Sequence, residues 1–308
     1  MAGSFYRTLR PFGARFHLEA DDRRVLRACE AALVHYPSEA GVIADLRLNV
    51  VTTTDGAEDP AWPHTRARFE NGVLELCCGS ARLEARPAEG VATLAIPPAL
   101  LAVPDAVRMF VEGAVSSLLI SGGHLRAIHA ALVGVKGRGL LLRGPSGAGK
   151  STLTYAGLRR GFAVSSDDWV YSVIGRPADR LWGYPWRLFL VPEAVAHFPE
   201  LATLTPVFHP GADRLKLPIE PPTARRRRRA EVDAVVFLDP ATELLWRPVD
   251  AEEAHHRFWS VALPSETADL DPNFVAELLR RPCFVLQRGT DPHKGAEALE
   301  DLARSALS

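Results

Sequence analysis

The chain has few cysteines and almost no net charge. Its four cysteines, Cys29, Cys77, Cys78 and Cys283, stand at no paired metal spacing. Cys77 and Cys78 are adjacent, so on a strand they face opposite sides. This argues against a cysteine-built metal site or a disulfide framework, and it predicts a reducing, cytoplasmic setting. His255-His256 also lack ligand spacing, so no structural metal is expected. Net charge is −1, from 36 basic and 37 acidic side chains. Such a balance sets up no global field for a nucleic-acid or membrane partner. Long apolar runs are missing too. The longest candidate, Val107 to Ile120, is broken by Arg108, Glu112 and Ser116-Ser117, which excludes a membrane-spanning helix there. MAGSFYRTLR is followed by no apolar stretch, so no secretory leader is expected. Internal repeats are absent as well.

What is present is an ordinary globular balance, 47% hydrophobic and 24% charged. A length of 308 residues suffices for two modest domains or one large one.

The most informative stretch is Gly144-Pro145-Ser146-Gly147-Ala148-Gly149-Lys150-Ser151-Thr152. It fits G-x-x-x-x-G-K-[ST], a phosphate-binding loop pattern. Gly139 to Arg143 before it is short, apolar and strand-like. Ser151 to Arg160 after it reads as one amphipathic helix ended by Gly161. That context is required, because an anion would sit on free N–H groups at the helix N-terminus. Glycines let the backbone fold around oxygens without Cβ clashes. In this pattern Lys150 reaches the β- and γ-phosphates and the Ser151 hydroxyl ligates Mg²⁺. The bland alternative is a Gly-rich turn that matches by accident. Correct flanks on both sides favour nucleotide binding.

Two regions flank residue 103. Residues 1–103 read as a small α+β domain. Phe16 to Ala20 alternates as a strand, and Val25, Leu26, Cys29, Ala32 and Leu33 recur at helical spacing. Val42 to Thr54 is rich in β-branched residues, and Asp55-Gly56 with Pro60 and Pro63 marks a loop. Arg66 to Glu70 and Val73 to Cys78 flank Asn71-Gly72, a strong hairpin signal. Strands at Ala81 to Ala85 and Val91 to Ile96 continue the meander. No catalytic cluster falls in this part.

Residues 104–308 read as an α/β catalytic domain. Pro104-Asp105 starts a helix to about Leu119. His129 to Val135 and Gly139 to Arg143 form a hairpin directly before the loop. Phe162 to Ser165 is a short buried strand ending at Asp167-Asp168, and Trp169 to Ile174 resumes as a strand. Trp182 to Leu190 is aromatic and irregular, and Pro192-Glu193 opens a helix to about Phe198. Leu201 to Thr223 reads as a long loop. Ala234 to Pro240 is a core strand, and Glu243 to Val249 pairs with it. Helices follow at Glu252 to Trp259 and Pro272 to Arg280, then a strand at Cys283 to Leu286 and a helix at Lys294 to Ala306.

Ligands of open α/β sheets collect at the carboxyl ends of strands, where Asp167 and Asp168 fall. Phosphoryl transfer to a hydroxyl needs a metal ligand and a positioned base, and this pair supplies both. Mutual repulsion raises one carboxyl toward a useful base. A solvated Asp-Asp turn is the alternative; its place after the loop helix favours function. His129 on pattern alone is more often structural than catalytic. Arg187, Lys216 and the Arg225 to Arg229 run are candidates for holding transferring phosphate, with Lys216 in a loop able to fold over the nucleotide. A solvated basic surface explains the arginine run more simply. Trp182, Tyr184 and Trp186 are read as covering a core before contacting a peptide.

His129-Ala130-Ala131, the hairpin, Gly144-x-Ser146-Gly147-x-Gly149-Lys150-Ser151, Arg160-Gly161 and Asp167-Asp168 together resemble the catalytic core of HPr kinase/phosphorylase and its relatives. The resemblance covers about His124 to Val173. It implies a P-loop kinase core like that of HPr kinase and phosphoenolpyruvate carboxykinase, with ATP and Mg²⁺ as cofactors. It implies Asp167 as general base, Asp168 in the metal and loop network, His129 near the reaction, and a homo-oligomer. The family's Leu-Glu-x-Arg-Gly signature is missing; Trp186-Arg187-Leu188-Phe189 occupies that region. This argues against phosphorylase activity and against HPr as the acceptor. The chain is more similar to divergent HPr kinase-like proteins, some of which phosphorylate a serine of a ribosomally made peptide.

The leading expectation is therefore a kinase acting on a serine-type hydroxyl of a peptide or protein. The alternatives are a nucleotide-binding regulator without phosphoryl transfer and a small-molecule kinase for serine or a sugar.

Overall fold

The computed structural model describes residues 4–53, 66–209 and 214–306. It is mixed α/β with several sheets. Two compact units emerge, Met1–Leu125 with Phe208–Arg214, and Arg126–Val207 with Leu215–Ser308. No helix among the described residues is long and apolar enough to cross a membrane. The loop expected around Asp55-Gly56, Pro60 and Pro63 lies outside the described residues.

The first unit holds a seven-stranded sheet. Its order is Phe5–Leu9, Arg15–Ala20, Asp45–Thr52, Val91–Ile96, Ala81–Arg86, Val73–Cys78, Arg66–Glu70. Strict alternation makes one face apolar: Ala81, Leu83 and Ala85 are buried while Arg82, Glu84 and Arg86 are exposed. Asn71 and Gly72 both adopt positive φ, which suits the tight hairpin between the last two strands. The edge strand Phe5–Leu9 was not legible in the sequence, because its residues are mostly exposed and do not alternate.

Helix Arg23–Leu33 starts on Asp22, whose carboxylate accepts from the Arg24 N–H. It packs against helix Pro104–Ser116. That second helix falls with the first unit, not with the residues that follow it as its place after residue 103 suggested. The reason is its apolar face, Val107, Phe110, Val111 and Ala114, which is fully buried. Gly113 lets Leu76 and Leu83 approach to 3.2 and 3.4 Å of where a Cβ would stand. The helix closes in a π-turn at Ser117–Ser121.

The second unit is built on a six-stranded sheet, Ala163–Ser166, Ala131–Val135, Arg138–Arg143, Ala234–Asp239, Cys283–Arg288, Leu244–Pro248. Arg138–Arg143, Ala234–Asp239 and Cys283–Arg288 run parallel. Their residues are apolar on both faces, as a sheet covered on both sides requires. Leu140, Leu142, Val236 and Leu286 join one core with Leu153, Ala156, Leu299 and Leu302. Leu141, Val235 and Val285 join another with Phe258, Val275 and Leu278. Each fully buried side chain of this size contributes about 1.5–3 kcal/mol.

Ala131–Val135 is antiparallel to both of its neighbours, Arg138–Arg143 and Ala163–Ser166. This explains the hairpin before the loop. The inserted strand lets Ala163–Ser166 run parallel to the loop strand, so both end at one edge. It also brings its own amino end, and His129 just before it, to that edge.

The described part of Leu201 to Thr223, which leaves out residues 210–213, is not all the long loop expected. Strand Arg214–Ile219 lies within it and pairs antiparallel with Leu188–Leu190. Leu217 and Ile219 point inward, and Pro218 faces Phe189 on a short strand. The prolines mask a strand pattern that buries only alternate residues. The aromatic stretch resolves into strands Arg180–Gly183 and Leu188–Leu190. Pro192–Ala196 is a tight 3₁₀ turn, where an α-helix to Phe198 was expected.

Candidate active site

Strand Arg138–Arg143 enters the glycine-rich loop, and helix Lys150–Arg159 leaves it. Gly149 takes φ of +94° at the helix start, a conformation that a side chain would strain. No side chain among the described residues caps this helix. Its first N–H groups are thus available to an anion, as a phosphate cradle needs. Pro145, Ser146 and Gly147 form the exposed rim, whereas Ala148 is buried beneath it. A Cβ at Gly147 would meet nothing within 4 Å, so the rim is open. Ser151 and Thr152 follow in the first helical turn, half-buried.

Lys150 is buried at 6% exposure. Its Nζ donates to the carbonyls of Gly144 at 2.8 Å and Pro145 at 3.2 Å. Burial pushes its pKa down to about 8, with the Asp168 charge opposing that shift. Beneath the loop, Arg288 donates from Nε to Ala148 O at 2.8 Å. Arg288 ends the strand two places along the sheet, and sequence reasoning missed it. Only register across the sheet places it there.

Asp167 and Asp168 follow strand Ala163–Ser166. The Ser166 hydroxyl accepts from the Asp168 N–H at 3.2 Å and turns the chain. The two carboxylates have different surroundings. Asp167 is buried and accepts from the Phe189 N–H at 3.4 Å. Burial first, and the Asp168 charge second, raise its pKa to about 6. Ser151 and the Lys216 charge oppose that rise. The sequence attributed the shift to paired charges; desolvation is the larger cause. Asp168 has a half-exposed side chain, with Oδ1 3.2 Å from His129 Nε2.

His129 is buried and ends strand Leu125–His129, two residues before the start of the hairpin strand it was expected to open. Its ring lies tilted against Trp169, with centroids 5.4 Å apart. Its N–H donates to Glu266 Oε1 at 2.9 Å. Glu266 and the wholly buried Arg143 form an ion pair at 2.8 Å. Neither was singled out in the sequence. An arginine ending an apolar strand is a signal, but Glu266 has none locally.

Lys150, Ser151, Asp167, Asp168 and His129 are thus brought to one sheet edge, with the Lys216 charge felt there. The arginine run is turned mostly onto nearby carbonyls: Arg225 on Gly161, Arg226 on Pro221, Arg227 on Ala224. Trp182 is buried and Trp186 half-buried, with Arg187 and Arg226 near the Trp186 ring.

The residues fit a nucleotide and a divalent cation by their chemistry. The uncapped helix start and Lys150 suit phosphate, and the Ser151 hydroxyl and Asp168 carboxylate are hard oxygen donors for Mg²⁺. No cluster of three or more His, Cys, Asp or Glu suited to a metal occurs among the described residues.

No protein-family model matches the chain. No curated protein matches it either. Among solved structures it is similar to the HPr(Ser) kinase/phosphatase from Coxiella burnetii, at 15% identity and TM-score 0.31. The match covers 59% of this chain and 90% of that one. A likeness at that score and identity assigns neither site nor activity.

Proposed function

We propose that the protein is an HPr kinase-like phosphotransferase that uses ATP and Mg²⁺ to phosphorylate a serine-type hydroxyl of a peptide or protein. The observation that carries this reading is Asp167. It is a buried carboxylate with its pKa raised to about 6, and the Ser151 hydroxyl of the loop helix is near enough to oppose that rise. A general base works best near the operating pH, and its contact with the loop helix sets it beside the phosphate cradle.

Bound ATP with Mg²⁺ supplies the transferable phosphoryl group and a cation that offsets its charge. The N–H groups of the loop and of the first helical turn, with the Lys150 ammonium, would hold phosphate oxygens. Ser151 and Asp168 would hold the cation. Asp167 takes the proton of the acceptor hydroxyl as the new oxygen–phosphorus bond forms and ADP departs. His129 fixes Asp168 through Nε2. The same edge without a base would suit a regulator that only binds nucleotide; Asp167 favours transfer.

The test is labelling of a host-cell extract with ATP carrying a γ-thiophosphate. Parent, Lys150→Ala and Asp167→Asn proteins are compared, and labelled species are found by mass spectrometry. One labelled peptide or protein serine, lost in both variants, is the expected result. A labelled metabolite would redirect the reading to small-molecule phosphorylation. Equal labelling by parent and Asp167→Asn would remove the base from Asp167.

A further inference from the structure

We infer that the buried Arg143–Glu266 ion pair is a positioning unit for His129 and, through the imidazole, for Asp168. Both side chains are wholly enclosed, at 0% exposure. Buried ion pairs are poor sources of stability, because apolar pairs of similar volume often do as well or better. The hydrogen bonds show what this pair holds. Glu266 Oε1 accepts from Arg143 at 2.8 Å and from the His129 N–H at 2.9 Å. The same Arg143 nitrogen lies 3.3 Å from His129 O, to which it donates. Both main-chain polar groups of His129 therefore end on the pair.

The pair is itself anchored. Glu266 Oε2 accepts from the Leu263 N–H at 2.8 Å. Arg143 donates from its other nitrogens to Phe258 O at 3.2 and 3.0 Å, and its guanidinium lies 3.9 Å from the Phe258 ring centroid. Arg143 also ends the strand that runs into Gly144. One unit thus ties the entry of the phosphate loop to the histidine.

The ring needs such a clamp. Its Nε2 meets Asp168 Oδ1 at 3.2 Å, but its Nδ1 is buried with no hydrogen-bond partner among the described residues. One polar contact does not fix an imidazole, so the clamped backbone and Trp169 must set its angle. The inference rests on the phosphotransferase reading only for its effect on rate.

The test replaces the pair without stranding a charge. Arg143→Met with Glu266→Leu removes every clamp contact. Arg143→Met with Glu266→Gln returns a neutral acceptor to the His129 N–H. Three readouts are taken: melting temperature, binding of Mg²⁺ with a non-hydrolysable ATP analogue, and the nitrogen-15 spectrum of the His129 ring, assigned by its loss in His129→Gln. The first variant leaves main-chain groups of His129, Leu263 and Phe258 unpaired, so it is expected to melt lower than the parent but to stay folded and bind the analogue as well. Its ring resonances should move, and kcat should fall about 10- to 100-fold with KM for ATP unchanged. The glutamine variant should recover part of both.

An unmoved ring spectrum in the first variant overturns the inference. So does unfolding of both variants, which would make the pair a stability element. A parent that transfers no phosphoryl group, while the ring spectrum moves as expected, sinks the phosphotransferase reading and leaves the positioning role standing.

Discussion

Lys150 holds its ammonium on the carbonyls of its own loop, 2.8 Å from Gly144 O. Burial lowers its pKa from 10.5 to about 8. Between these values the unfolded chain binds more protons than the folded one, so stability must rise with pH across that window. Below about pH 8 the full penalty is present. Lys150→Met is therefore expected to be more stable than the parent at pH 7, by up to about 3 kcal/mol. It should also lack the parent's gain between pH 8 and 10.5, and it should lose nucleotide binding. Urea unfolding at a series of pH values, with nucleotide titration beside it, reads both. A variant no more stable than the parent at pH 7 would show that the buried charge carries no penalty.

Asp167 follows the same logic with opposite sign. Its pKa is raised from 3.8 to about 6, so the folded chain binds the extra proton within that window. Stability contributed by this group falls as pH rises through it, and the penalty is complete above about pH 6. Asp167→Asn should match the parent below pH 4 and exceed it at pH 7 by about 2–3 kcal/mol. Transfer should collapse, and the parent's kcat/KM should climb through about pH 6 as the carboxylate ionises. A flat pH–rate profile between pH 5 and 7 would count against Asp167 as the base.

These two groups were legible in the sequence because each is tied to a local pattern: a glycine-rich loop, and a carboxylate pair after a short apolar strand. The parallel core strands were legible for the same reason, being continuous apolar runs. What escaped was whatever depends on register between distant segments. Arg288 meets Ala148 only because strand Cys283–Arg288 aligns beside Ala234–Asp239. Glu266 meets His129 across more than a hundred residues of chain. Strand Arg214–Ile219 was hidden because prolines dominate its surroundings, and its partner strand is only three residues long. The division of labour between the two aspartates was hidden as well, since burial sets it and adjacency does not show burial.

Gly149 and Arg288 form a tight pair that a single methyl group would disturb. A Cβ at Gly149 would lie 2.8 Å from Arg288 Nε, on a backbone at φ +94°. The guanidinium is flexible and can yield, whereas the backbone angle cannot without opening the loop. Gly149→Ala is expected to weaken nucleotide binding at least tenfold, about 1.4 kcal/mol. Arg288→Ala should weaken it less, because Ala148 loses one support but the loop keeps its angle. Combining the two should not restore affinity. Calorimetric titration decides; recovery in the double variant would show that the side-chain clash, and not the backbone, sets the requirement for glycine.

Gly183 sits against the strand that delivers the aspartates. A Cβ there would stand 2.0 Å from Ser165 O and 2.8 Å from Ser165 Cβ. Its own N–H donates to Arg228 O at 2.9 Å, and it faces Val170 in the sheet. Neither side can move alone: Ser165 is main chain within Ala163–Ser166, and Gly183 is held by its ladder. Gly183→Ala must therefore push the strands apart two residues before Asp167. Overpacking of this kind costs about 1–3 kcal/mol. The melting temperature should fall, and transfer should fall well beyond the fraction unfolded, because Asp167 shifts relative to Ser151. Assays far below the melting temperature separate the two effects. Full transfer by a folded but less stable Gly183→Ala protein would show that the Asp pair tolerates displacement of its strand, and that the close approach serves packing alone.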